Sequence, residues 1–132
     1  MVDDEAGVRW SLTMLLGAHA FDIAAYPNGR EALAWLRSRV THCDLVVLDA
    51  MLADTSGFEL ADSIRRSDCC APLVMISGYF YADDPAVQDA LRSGLLAAFL
   101  IKPFAHDELM RTVRTVFSSG AIAPPVAPPP RR

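Results

Sequence analysis

The stretch Asp44-Leu45-Val46-Val47-Leu48-Asp49 sets four consecutive apolar residues against a closing carboxylate. A strand with one face in water alternates apolar and polar side chains. A strand covered on both faces does not, because every side chain in turn meets a buried layer. The unbroken run therefore predicts a strand inside a parallel sheet with helices on both sides. Leu73-Val74-Met75-Ile76, ending in Ser77, repeats the pattern, and two further short β-rich runs occupy Phe21–Tyr26 and Ala97–Ile101.

Between these runs the apolar spacing changes to that of helices. Ala6–Ala18 places Val8, Leu12, Leu15 and Leu16 on one face. Asn28 with Glu31 forms an N-cap and capping-box pair opening a helix that buries Ala32, Leu33, Leu36 and Val40. Ser56 precedes a helix with Phe58, Leu60, Ala61 and Ile64 inward. Asp84 with Pro85 reads as N-cap and first helical position, and Gly94 as the stop. The last helix runs from about His106 to Phe117 and buries Leu109, Val113 and Val116. Strands alternating with helices give a doubly wound α/β sandwich. Its first strand should precede Asp3, where only Met1 and Val2 stand, so it reads as truncated. Either the true start lies upstream or the domain is a trimmed variant.

With 132 residues, 52% apolar and 21% charged, the chain suits one packed domain, residues 1–118. Residues 119–132 are rich in proline and read as an extended, disordered tail. A net charge of −4 argues against nucleic acid as the main partner, since phosphate neutralisation needs a clustered basic surface. No apolar run approaches the ~20 residues that span a bilayer, and no signal-peptide pattern opens the chain. Cys69 and Cys70 are neighbours, whose bridge would be strained, so the three cysteines fit a reduced cytoplasm.

Ligands of such folds sit at the carboxyl ends of the strands. The predicted strands deliver there Asp3, Asp4 and Glu5, then Asp49, then Ser77 with Gly78, then Lys102 with Pro103. Converging carboxylates remain charged only with a cation between them, and hard oxygen ligands suit Mg²⁺ or Mn²⁺. A lysine and a small hydroxyl add donors for phosphoryl oxygens. The combination suits phosphoryl transfer to a carboxylate, with Asp49 as the nucleophile. Singly, each residue has a plainer reading: terminal acids are usually solvated, and an Asp after a strand is often a turn former. Four strand ends carrying one chemistry make coincidence the harder explanation.

In order, Val2-Asp3-Asp4-Glu5, Val46-Val47-Leu48-Asp49 with Gly57 eight residues on, Ile76-Ser77-Gly78, and Phe99-Leu100-Ile101-Lys102-Pro103-Phe104 resemble bacterial response-regulator receiver domains. The resemblance covers about Val2 to Phe117, and its motifs are specific as a set. It implies a flavodoxin-like five-stranded parallel sheet in the order 2-1-3-4-5, and phosphorylation of Asp49 by a histidine kinase or phosphotransfer protein. Asp4 would ligate Mg²⁺ directly, Asp3 through water, and Asp49 and the Met51 backbone carbonyl would complete the protein ligands. Ser77 and Lys102 would hold phosphoryl oxygens. Phe99 would be the switch aromatic that moves with Ser77, and the Lys102–Pro103 bond would be cis. The domain would be a phosphoacceptor that assists its own chemistry and not a conventional enzyme. It would signal by protein contact through the fourth helix, fifth strand and fifth helix, around Asp83–Gly94 and His106–Phe117.

Departures from the family pattern are Ala53, where many receivers carry proline, and bulky Met51 and Tyr79 at the positions flanking the site. Phe99 lacks a tyrosine hydroxyl, so a switch there rests on packing. The alternative is a degenerate receiver that binds proteins independently of phosphorylation. An aspartyl-phosphate phosphatase would want a second acid at Met51. A flavin-binding module would want a glycine-rich phosphate loop where the acidic triplet stands.

Overall fold

The computed structural model describes residues 1–38 and 42–118. Three parallel strands, β1 (Val46–Asp49), β2 (Leu73–Ser77) and β3 (Ala98–Ile101), form a sheet in the order β1-β2-β3. Val2 extends it beyond β1, bridging in parallel to Leu48 on one side and to Tyr26 on the other. The lanes thus run Tyr26, Val2, β1, β2, β3, which is the expected 2-1-3-4-5 order with its first two lanes reduced to single bridging residues.

This corrects the reading of Phe21–Tyr26 as a strand. A strand needs a partner for its whole ladder, and the neighbouring lane holds only Met1 to Asp3. Within that reach the pairing is complete. Tyr26 N–H donates to Met1 O (2.9 Å) and Asp3 N–H to Tyr26 O (3.1 Å). Across the other edge Val2 N–H donates to Val47 O (2.8 Å) and Asp49 N–H to Val2 O (2.9 Å).

Among the described residues five helices cover the sheet: α1 (Ala6–Gly17), α2 (Gly29–Ser38), α3 (Gly57–Arg66), α4 (Pro85–Ser93) and α5 (His106–Ser118). The two cores explain the unbroken apolar runs. Val46, Leu48, Leu73 and Met75 pack with Ala32 of α2, Leu60 and Ile64 of α3 and Ala90 of α4. The intervening Val47, Val74, Ile76 and Leu100 pack with Leu12 and Leu16 of α1 and Leu109, Val113 and Val116 of α5. Each Val, Leu, Ile or Met side chain withdrawn from water this way contributes about 1.5–3 kcal/mol before entropy is counted. Val40 and the proline-rich segment lie outside the described residues.

The caps follow the sequence with one difference. Ser56 Oγ accepts from Glu59 N–H (3.1 Å), and Asn28 Oδ1 from Glu31 N–H (2.8 Å). Gly94 closes α4 in the left-handed region at φ 83°, which glycine adopts without a Cβ penalty. Asp84 stands at the N-cap of α4, but its carboxylate accepts from Tyr81 N–H (2.7 Å), outside the helix. No described helix is long and apolar enough to cross a membrane. The three cysteines are free.

Candidate functional site

The sheet register brings the strand ends together. Asp49 is the in-register partner of Ile76 and Ser77 that of Ile101, so Asp49, Ser77 and Lys102 all emerge at the carboxyl edge. Lys102 is tied there by its backbone, whose N–H donates to Ser77 O (2.8 Å). The Lys102–Pro103 peptide bond is cis.

Asp49 is held by its loop. Gly57 N–H donates to Ala50 O (2.6 Å), and a Cβ at Gly57 would lie 2.4 Å from Asp49 O and 2.8 Å from Ala50 Cα. Those are backbone atoms that cannot turn aside, so only glycine fits. The start of α3 thereby presses against the backbone of the candidate acceptor. Met51 N–H donates to Asp49 Oδ1 (3.3 Å), which places the Met51 backbone beside the carboxylate while 48% of the Met51 residue surface stays exposed.

The carboxylates of Asp3, Asp4 and Asp49 can each bring an oxygen within 4.8 Å of the others. Asp3 and Asp49 are buried and Asp4 is exposed. Lys102 Nζ donates to Asp3 Oδ2, Asp49 Oδ2 and Glu5 Oε1, each at 3.0 Å. Four carboxylates against one ammonium leave a formal charge of −3 at the cleft. Burial raises the Asp3 pKa, which the Glu5 N–H (2.9 Å) and Lys102 only partly oppose. For Lys102, burial alone would lower the pKa, but the bonds to Asp3, Asp49 and Glu5 outweigh it and hold the ammonium well above its usual range.

A divalent cation fits this donor set. Hard oxygens converge, excess negative charge remains after Lys102 is counted, and the Asp4 carboxylate has no partner among the described residues. Both Asp3 oxygens are already engaged, Oδ1 by Glu5 N–H and Oδ2 by Lys102.

Ser77 is fully buried, and its Oγ accepts from Tyr79 N–H (2.9 Å) and Phe80 N–H (2.8 Å). With both lone pairs occupied, its proton remains to be donated. Phe99 lies outside the cluster, half-buried in the layer of α2, α3 and α4 and paired in register with Met75. Tyr79 is largely exposed, its ring edge-on to Phe80 (5.1 Å).

Two contacts escaped the sequence reading, which named Glu5 only within the acidic triplet and Arg9 not at all. Glu5 is a third carboxylate on Lys102, and Arg9 Nη1 donates to Asp3 O (2.7 Å), tying the first turn of α1 to the acidic end. The signal for Arg9 was its spacing of four residues from Glu5, one helical turn on.

The sequence profile of the response regulator receiver domain matches residues 1–114. Nodulation protein W of Bradyrhizobium diazoefficiens is 32% identical over 113 residues, 86% of this chain and 48% of that protein. The DNA-binding response regulator MtrA of Mycobacterium tuberculosis is 34% identical over 114 residues, 86% of this chain and 47% of that protein. The chain therefore spans about half the length of these curated relatives. Among solved structures, a CheY-like receiver domain protein from Methanospirillum hungatei superposes with a TM-score of 0.79 at 19% identity, covering 89% of this chain and 90% of that one. These likenesses join the acidic cleft and the sheet order in one conclusion: the chain belongs to the response regulator receiver domain family of two-component systems.

Proposed function

We propose that Asp49 is the phosphoacceptor of this receiver, charged by a histidine kinase or phosphotransfer protein. The observation that carries the reading is the convergence of Asp3, Asp4 and Asp49 with the Lys102 ammonium at one strand edge. An Asp49 oxygen attacks the phosphorus of a phosphohistidine. The O–P bond forms as the N–P bond breaks, and the imidazole leaves with the bonding pair and takes up a proton. Lys102, already 3.0 Å from Asp49 Oδ2, is placed to follow a phosphoryl oxygen, and the Ser77 proton to donate to another. Mg²⁺ or Mn²⁺, when bound, supplies the positive charge that such a transfer needs at the phosphoryl oxygens. Unpartnered Asp4 suits direct ligation, doubly engaged Asp3 suits a water-mediated role, and Asp49 with the Met51 carbonyl completes the set.

In this reading Ser77 and Phe99 form the switch, residues 1–118 are the receiver, and 119–132 its tail. The cytoplasm is its compartment. Output passes to a protein target through the face of α4, β3 and α5. Exposed Met51 and Tyr79 flank the cleft and slow water attack on the phosphoryl group; a longer phosphoryl half-life than in Met51→Asn checks this.

The test is incubation with Mg²⁺ and acetyl phosphate, read by intact mass beside Asp49→Asn. One phosphoryl adduct that requires Mg²⁺ and is lost in the variant supports the proposal. A folded chain with no adduct favours the degenerate, phosphorylation-independent binding module instead.

A further inference from the structure

Arg9 chooses an unexpected partner. Its guanidinium reaches the acidic end of the sheet, where a two-pronged bond to a carboxylate would be the strong interaction. Instead Nη1 donates to the backbone carbonyl of Asp3 (2.7 Å), and among the described residues the guanidinium forms no ion pair. The Glu5 carboxylate one turn away is given to Lys102 (3.0 Å), and that of Asp4 is left alone. Asp3 O accepts from no other donor among the described residues.

That carbonyl belongs to the peptide joining Asp3 to Asp4. A peptide unit is planar, so fixing its oxygen fixes ψ of Asp3 and φ of Asp4, and with them the direction of the Asp4 Cα–Cβ bond. The groups on either side are held by other means. Asp3 N–H donates to Tyr26 O (3.1 Å), and Glu5 N–H to Asp3 Oδ1 (2.9 Å). Arg9 holds the link between them. It is itself anchored, because its N–H donates to Glu5 O (3.0 Å), and Leu12 and Leu16 further along α1 are buried in one cluster with Val47 and Ile76.

We infer that Arg9 is a positioning residue for the metal site: its bond to the Asp3 carbonyl orients the Asp3–Asp4 peptide so that the exposed Asp4 carboxylate is aimed toward the oxygens of Asp3 and Asp49. The inference rests on the divalent-cation reading of the cleft proposed above. Bonding a carbonyl has a second effect, since it leaves the Asp4 oxygens uncommitted. An Arg9–Asp4 ion pair would have to break before a cation could bind.

Two roles open to this guanidinium differ in sign. As a nearby positive charge it repels a divalent cation, so neutralising it would tighten binding, by about twofold for a screened charge at the surface. As a positioning residue it supports binding, and its loss weakens the site by about tenfold, the lower end of what removing the support of metal ligands costs. Lysine separates the two further. It keeps the charge but ends in a compact ammonium on a shorter stem, so a charge role predicts no change and a positioning role a loss of about threefold.

The experiment titrates Mn²⁺ into the full chain and reads the free ion by electron paramagnetic resonance. Arg9→Met, Arg9→Lys, Asp4→Asn and the double variant of Arg9→Lys with Asp4→Asn are compared with the parent. Weaker binding in both Arg9 variants is expected, with no further loss on adding Arg9→Lys to Asp4→Asn, because the ligand being positioned is already gone. If Arg9→Met does not fold, the two Arg9→Lys comparisons decide alone. Binding in the Arg9 variants equal to or tighter than in the parent overturns the inference while the metal site stands. An equal loss with and without the Asp4 carboxylate overturns it too, by showing a general loosening of the cleft. A parent that binds no Mn²⁺, or an Asp4→Asn chain that binds it equally well, removes the metal-site reading itself and the inference with it.

Discussion

Replacing Lys102 with methionine keeps the length of the side chain and removes its charge. Asp3 and Asp49 side chains are 0% and 8% exposed, and each loses its 3.0 Å partner, while Glu5 at 63% exposure returns to water at little cost. Removing one member of a buried ion pair costs about 3–5 kcal/mol, because the remaining charge is stranded. Here two carboxylates share one ammonium at the mouth of an open cleft where water can enter, so the lower end, about 3 kcal/mol near neutral pH, is expected. The loss depends on pH with a definite sign. Burial already holds the Asp3 pKa above its ordinary value, and without the ammonium it rises further. The destabilising contribution of Asp3 is then absent below its unfolded pKa and grows as pH increases through the raised folded value. Urea unfolding near pH 8 and near pH 5 should thus show a deficit that shrinks on acidification. Millimolar Mg²⁺ should recover part of it near pH 8, by binding the folded state alone. A deficit under about 1 kcal/mol, equal at both pH values and untouched by Mg²⁺, would refute the account of the cleft as a charge-strained site.

Gly57→Ala forces its methyl against Asp49 O and Ala50 Cα and should cost about 2–4 kcal/mol in urea unfolding, while also lowering phosphoryl uptake by displacing the acceptor backbone. Asp54→Ala removes the acceptor of Gly29 N–H (3.0 Å) and Arg30 N–H (2.9 Å) at the start of α2, for a loss of about 1 kcal/mol by the same assay. These bonds hold the Asp54 pKa low, so that contribution is present above the unfolded pKa and fades as pH falls through the folded one. The Met1 amino group has a folded pKa of about 6 against 8.0 unfolded. The unfolded chain binds more protons between those values, so stability should rise across that window by roughly 2–3 kcal/mol. Acetylating the amino group should flatten the rise; an unchanged slope would locate it elsewhere.

The fold was legible because its central strands are unambiguous. Val46 to Leu48 and Leu73 to Ile76 could only be strands buried on both faces, and the capping residues Asn28, Ser56 and Gly94 fixed helix ends locally. Phe21–Tyr26 misled because β propensity states what a segment can do, and pairing also needs a neighbour of matching length. Asp3, Asp49, Ser77 and Lys102 could be placed from the rule that strand ends carry the site. The rule also placed Glu5, but not its bond to Lys102 nor that of Arg9 to Asp3, since both depend on how α1 leaves the first lane. Asp54 reaches across 25 positions to Gly29, a distance over which no local pattern reports.

The alternation of Val47 and Leu48 between opposite helical layers has a consequence for how this domain tolerates change in length. Substituting one aliphatic residue for another alters a single contact. Adding or deleting one residue inside β1 exchanges the contents of both cores and swings the Asp49 side chain to the opposite face of the sheet. Length variation must therefore collect in the connections, such as residues 78–84, and the interiors of β1 and β2 should remain free of insertions and deletions however far the sequences of relatives drift.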